Sequence, residues 1–128
     1  MLRILVIEDS PVNMALTAAI LENAGHQVLQ AEYAIDGIDI ARIHQPDLVL
    51  MDMYLPDIDG INATRMLKAD SRTAHIPVIA VTASAIQHDE DDFRAAGCDG
   101  FVTKPIRHKE FLIVLGAIEV RRMTTAPQ

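Results

Sequence analysis

The sequence predicts an α/β fold: a doubly wound, five-stranded parallel sheet with five helices. Two observations carry that reading. Short β-rich apolar runs alternate five times with segments of helical periodicity. The runs are near-continuously apolar, as strands covered on both faces are. A third observation bears on function. Ligands of such sheets bind beyond the carboxyl ends of the strands, and chemistry-bearing residues follow four of the runs. They are Glu8-Asp9, Asp52, Thr82 and Lys104.

The elements follow in order. Arg3 to Ile7 is the first strand. Asp9-Ser10-Pro11 opens a helix, with a capping residue ahead of a proline suited to the first helical position. Val12, Leu16, Ala19 and Ile20 recur at helical spacing, and Gly25 ends that helix. Gln27 to Ala31 is the second strand. The second helix covers Ile35 to His44, with Ile35, Ile38 and Ile43 expected to face inward. Pro46 separates it from the third strand, Asp47 to Met51. The third helix covers Ile58 to Ala69, and His75-Ile76-Pro77 leads into the fourth strand, Val78 to Val81. The fourth helix covers Ile86 to Ala96 and stops at Gly97. Gly100 to Thr103 is the fifth strand, and Arg107 to Arg121 the fifth helix. Residues 1–122 are expected to form one domain, and 123–128 a short disordered tail.

Composition narrows the function classes. A chain of 128 residues, half of them apolar, can bury a core as one domain. No apolar run approaches the ~20 residues of a membrane span, and Met1-Leu2-Arg3-Ile4 leads straight into a strand without a signal-peptide layout. The expected setting is the cytoplasm, with no membrane insertion. A net charge of −7 argues against direct nucleic-acid binding, which needs a basic stripe. The adjacent pair Arg121-Arg122 reads as a complement to a helix-end dipole. The single Cys98 excludes an internal disulfide framework and a cysteine zinc site, and reads as a small buried residue.

Three carboxylates meeting at one sheet edge repel one another and invite a hard cation, Mg²⁺ or in its place Mn²⁺. Asp9 and Asp52 are the expected direct ligands, with Glu8 acting through water and the Tyr54 backbone carbonyl completing the shell. Asp52 is also a carboxylate nucleophile suited to forming an aspartyl phosphate. Lys104 and the Thr82 hydroxyl would then bind phosphoryl oxygens.

The motifs Glu8-Asp9-Ser10, Asp52-x-x-Leu55-Pro56-x-x-Asp59-Gly60, Val81-Thr82-Ala83 and Lys104-Pro105 occur in this order over about Leu2 to Arg122. Together they resemble the receiver domain of two-component response regulators. The resemblance implies a flavodoxin-like or CheY-like strand order 2-1-3-4-5. It makes Asp52 the phosphoacceptor, Glu8 and Asp9 the acidic pocket, Thr82 the switch hydroxyl and Lys104 the phosphate-contacting lysine. It also implies a cis peptide before Pro105 and places Phe101 at the aromatic switch position, where many members carry tyrosine.

Other polar residues have plainer readings. Asp57 and Asp59 read as a turn and a helix cap. Asp89-Glu90-Asp91-Asp92 reads as a solvated helix start, or as a dock for a basic partner. His26, His44, His75, His88 and His108 show no metal-ligand spacing. Asn13 reads as a capping or surface residue, or as a neighbour of the acidic pocket.

The chain stops shortly after the fifth helix, so the expectation is a single-domain regulator of the stand-alone CheY or DivK type. A receiver from a hybrid histidine kinase is the alternative. Its donor would be a histidine kinase or a histidine phosphotransfer protein. A downstream protein would dock on the face of helix 4, strand 5 and helix 5, and the chain would not be a metabolic enzyme. Tyr54 and Ser84 flank the expected approach of the hydrolytic water. A haloacid-dehalogenase-type phosphatase needs a second Asp where Tyr54 stands, which argues against it. A phosphorylation-independent scaffold is the remaining reading.

Overall fold

The computed structural model describes residues 1–83 and 90–125. Ser84, the expected start of the fourth helix at Ile86, His88, Asp89 and residues 126–128 lie outside the described residues. The strands are β1 (Arg3–Ile7), β2 (Gln27–Ala31), β3 (Leu48–Asp52), β4 (Val78–Thr82) and β5 (Gly100–Thr103). The helices are α1 (Pro11–Asn23), α2 (Ala34–His44), α3 (Gly60–Ala69), α4 (Glu90–Ala96) and α5 (His108–Thr125). Every pairing is parallel and the order is β2-β1-β3-β4-β5, as the resemblance implies.

The order reverses at β1, which pairs with both β2 and β3. Crossovers on either side of that strand leave for opposite faces, so a crevice opens at its carboxyl end. Ile7 pairs with Met51. The residues that follow this pair are Glu8, just beyond β1, and Asp52, the last of β3, which the register brings to the mouth of the crevice together.

Strand alternation divides the core in two. Leu5, Ile7, Val49, Met51, Val78 and Ala80 pack with residues of α2, α3 and α4. Ile4, Val6, Leu48, Leu50, Ile79, Val81 and Val102 pack with residues of α1 and α5. Both central strands, β3 and β4, are buried at all five positions, which explains why their sequences do not alternate.

Two helices bury faces other than the expected ones. In α1 the buried residues are Met14, Thr17, Ala18 and Leu21, while Val12 and Leu16 are exposed. Both sets satisfy helical spacing, because α1 is apolar around most of its circumference. In α2, Ile38 faces inward as expected, but Ile35 and Ile43 are exposed and Ala34, Gly37 and Ala41 are buried. Small side chains let this helix lie close to the sheet, and an added Cβ at Gly37 would overlap Ile7 Cδ1.

Boundaries differ modestly. Asp52 and Thr82 are the last residues of their strands and not the first residues of loops. Asp47 precedes β3, where its carboxylate accepts from the Arg3 N–H at 2.8 Å. The third helix starts at Gly60 behind the cap Asp59. The fifth helix runs through Thr125, so residues 123–125 of the expected tail are helical. Ser10 caps α1 by accepting from the Asn13 N–H, and Gly25 beyond the helix takes φ +91°. No helix among the described residues is long and apolar enough to cross a membrane.

Candidate functional site

Asp52 ends β3 and Glu8 directly follows β1, both on the α1/α5 face, continuing the Leu48–Leu50 and Ile4–Val6 series. Both are buried, at 5% and 2% exposure, whereas Asp9 on the β1–α1 loop is exposed. Carboxylate oxygens of Glu8, Asp9 and Asp52 lie within 4.8 Å of one another. Among the described residues this is the one group of acids, histidines or cysteines with such an arrangement. The donors are all carboxylate oxygens, so the set fits a hard, oxygen-seeking divalent cation.

Lys104 reaches this cluster from the β5–α5 loop. Its ammonium lies 2.9 Å from Glu8 Oε1 and 3.0 Å from Asp52 Oδ2. Burial alone would lower the Lys104 pKa. Hydrogen bonds to Glu8 and Asp52, and the charges of both, outweigh that and hold it above the ordinary lysine value. The loop is anchored where the Lys104 N–H donates to the Thr82 carbonyl at 2.8 Å, and the Lys104–Pro105 peptide is cis.

The remaining oxygens of Glu8 and Asp52 are also engaged. Asp52 Oδ1 accepts from the Tyr54 N–H at 3.0 Å, and Glu8 Oε2 from the Ser10 N–H at 3.1 Å. Each carboxylate is thus held by its own loop on one side and by Lys104 on the other. Gly60 permits this compactness. A Cβ there would overlap the Asp52 carbonyl oxygen and stand 2.6 Å from Met53 Cα. A cleft of about 440 Å³ opens beside the acids, lined by Glu8, Asp9, Met14, Gln30 and Glu32 among others. Asn13 lines a smaller crevice with Glu8, Lys104 and Pro105.

Thr82 is fully buried at the end of β4, one residue past Val81, the register partner of Asp52. Strand alternation puts Thr82 on the α2–α4 face, where the half-buried Phe101 also packs. The Phe101 ring lies 5.9 Å from that of Phe93 on α4. The expected site residues therefore fall into two groups. Glu8, Asp9, Asp52 and Lys104 cluster directly, and Thr82 and Phe101 share the opposite face.

The response regulator receiver domain family model matches residues 4–115. The chain belongs to the response regulator receiver domain family. It is a receiver of two-component signalling, a family that takes phosphoryl groups from histidine kinases. It is 39% identical to the polar-differentiation response regulator DivK of Brucella anthropi, over 85% of this chain and 89% of that protein. It is also similar to the receiver domain of a sensor histidine kinase from Pseudomonas aeruginosa PAO1. The TM-score is 0.83 and the identity 34%, covering 92% of this chain and 98% of that one. That domain was solved with a magnesium ion in its active-site cleft. The chemotaxis response regulator CheY4 of Vibrio cholerae shares the fold, with TM-score 0.83 at 20% identity over 92% of this chain and 98% of that one.

One residue of this receiver carries more than its sequence context suggests. Asp57 stands in the β3–α3 loop and reads as a local turn residue. Its two oxygens instead accept from the N–H groups of Ala34 and Ile35, each at 3.0 Å, at the start of α2. Desolvation would raise its pKa, but the N–H groups of Ile35, Ala34 and Ile58 hold it below the ordinary carboxylate value. The signal that points to this link is Tyr33. It is the N-cap residue of α2 and makes no side-chain capping bond, so the helix start needs an acceptor from elsewhere.

Other plain readings agree with the structure. Asp59 caps α3, accepting from the Asn62 N–H at 2.8 Å. Cys98 is buried, with Sγ 3.8 Å from Thr64 Oγ1. His44, His75 and His108 are exposed, and His26 is half-buried with Nδ1 accepting from the Leu2 N–H at 3.1 Å. Asp91 and Asp92 are solvated on α4.

Proposed function

We propose that the protein is a phosphorylation-controlled switch in which Asp52 accepts a phosphoryl group from a histidine kinase or histidine phosphotransfer protein. One observation carries this reading. The buried Asp52 carboxylate ends β3 beside Glu8 and Asp9, with the Lys104 ammonium 3.0 Å away. An Asp52 oxygen attacks phosphorus, and the bond to the donor's leaving group breaks as the acyl phosphate forms. Lys104 exchanges its bonds to Glu8 and Asp52 for a phosphoryl oxygen. The Thr82 hydroxyl donates to another. Asp9, Asp52 and the Tyr54 carbonyl would hold Mg²⁺ directly, with Glu8 acting through water, and Mn²⁺ would suit the same donors. When bound, the cation neutralises charge on the phosphoryl oxygens.

Displacement of Lys104 and Thr82 toward the phosphoryl group is the switching event, and Phe101 beside α4 passes it to the surface. The downstream protein docks on the α4–β5–α5 face. The chain acts as a signalling switch and turns over no metabolite. Intact mass after incubation with Mg²⁺ and a small acyl-phosphate donor tests the reading. A single phosphoryl adduct is expected on the native protein and on neither Asp52→Asn nor a metal-free control. An adduct that persists in Asp52→Asn, or none on the native protein with its cognate kinase, overturns the assignment.

A further inference from the structure

The β3–α3 loop is tied down along its length. At its start the Tyr54 N–H donates to Asp52 Oδ1, and the Gly60 N–H returns to the Met53 carbonyl at 3.0 Å. At its end Asp59 caps α3. Its middle is held from outside, by the paired bonds from Asp57 to Ala34 and Ile35. Orphan N–H groups at a helix start favour a carboxylate acceptor, and Tyr33 supplies none. One side chain therefore closes α2 and fastens the loop that carries Tyr54.

We infer that Asp57 is a positioning residue for phosphoryl acceptance: by clamping the β3–α3 loop to the start of α2, it fixes the Tyr54 backbone for the divalent cation. The inference rests on the role given above to the Tyr54 carbonyl. Asp57 acts through the backbone, three residues from Tyr54, and is not itself a ligand. Groups that orient a metal's ligands typically alter affinity by about 10- to 100-fold when removed. The β2–α2 corner that the clamp grips also borders the cleft beside Glu8 and Asp9, through Ala31 and Glu32.

The test compares Asp57→Ala and Asp57→Asn with Asp36→Ala. Asp36 is an exposed acid in the first turn of α2, so its loss weakens the helix start without touching the loop. Mg²⁺ affinity is read by calorimetric titration, amide exchange at Ala34 and Ile35 by NMR, and adduct formation by intact mass. Asp57→Ala is expected to raise the Mg²⁺ Kd about 10-fold and to speed exchange at both amides. Adduct formation slows at low Mg²⁺ and recovers at saturation. Asp57→Asn keeps one acceptor oxygen and should lose less than Asp57→Ala, below the about 10-fold of a full removal. If the alanine variant fails to fold, the asparagine variant decides between the outcomes. Native-like Mg²⁺ affinity in the folded Asp57 variants overturns the inference, as does an equal loss in Asp36→Ala. A native protein that binds no Mg²⁺ and takes no adduct sinks the phosphoacceptor assignment with it. Normal native behaviour beside unchanged Asp57 variants sinks this inference alone.

Discussion

The Lys104 ammonium stands 2.9 Å from Glu8 Oε1, so the loop after the last strand is fastened to the end of the first. Lys104 makes the same kind of contact to Asp52, and in this state it competes for oxygens that a divalent cation would use.

That competition gives the first prediction. Lys104→Ala should bind Mg²⁺ more tightly than the native protein, by about 3- to 10-fold, the range of a charge interaction of roughly 1 kcal/mol. It should also form the phosphoryl adduct more slowly, because the ammonium proposed to meet the incoming oxygen is gone. Calorimetry and intact mass read the two effects separately. Weaker Mg²⁺ binding would show that Lys104 organises the acids and does not compete for them.

Asp9→Asn should separate stability from affinity. Removing one of three clustered like charges is expected to stabilise the metal-free fold by about 0.5 kcal/mol. Losing the direct ligand proposed above should weaken Mg²⁺ binding about 10-fold or more. Urea unfolding with and without Mg²⁺ checks both signs. A variant destabilised in metal-free buffer would contradict the repulsion argument.

Gly60→Ala should destabilise more than Gly37→Ala. At Gly60 the new Cβ meets backbone, the Asp52 carbonyl and Met53 Cα, which cannot turn away. At Gly37 it meets the Ile7 side chain, whose far end can rotate. Overpacking costs typically about 1–3 kcal/mol, with Gly60→Ala expected at or above the upper end. Thermal melts of the two variants rank them directly.

A pH prediction follows from the C-terminal end of α3, where Asp70 is the cap residue. The Arg72 side chain and N–H, with Arg42 behind them, hold the Asp70 carboxyl well below the usual carboxylate range. A depressed folded pKa means stability fully present above the ordinary value near 3.8 and lost as pH falls through the folded one. Asp70→Asn should therefore be less stable than the native protein at pH 7, with a gap that narrows below about pH 4. Urea midpoints at pH 7 and pH 3 provide the measurement. A gap that is constant with pH would assign the loss to packing.

The strands and their polar ends were legible because a central strand of this sheet is buried on both faces, and the first charged residue after it has one place to go. Helix faces were less legible. In α1, Thr17 and Ala18 are buried beside Met14 and Leu21, while the larger Val12 and Leu16 are exposed. A helix lying close on a sheet selects side chains by fit, and periodicity alone does not report fit. The Asp57 clamp was hidden for a related reason. Its partners, Ala34 and Ile35, contribute only backbone groups, which leave no mark in side-chain chemistry.

Asp52 and Thr82 are the final residues of β3 and β4, the two strands buried at every position. Strands of that kind belong to the unit that opens last in amide exchange, at a free energy close to that of global unfolding. The groups proposed to react are thus attached to the slowest-opening part of the molecule, while Asp9, Tyr54 and Lys104 stand on the loops that follow β1, β3 and β5. A signal written on Asp52 would spread outward through those loops. The sheet would serve as the fixed reference against which their displacement is read.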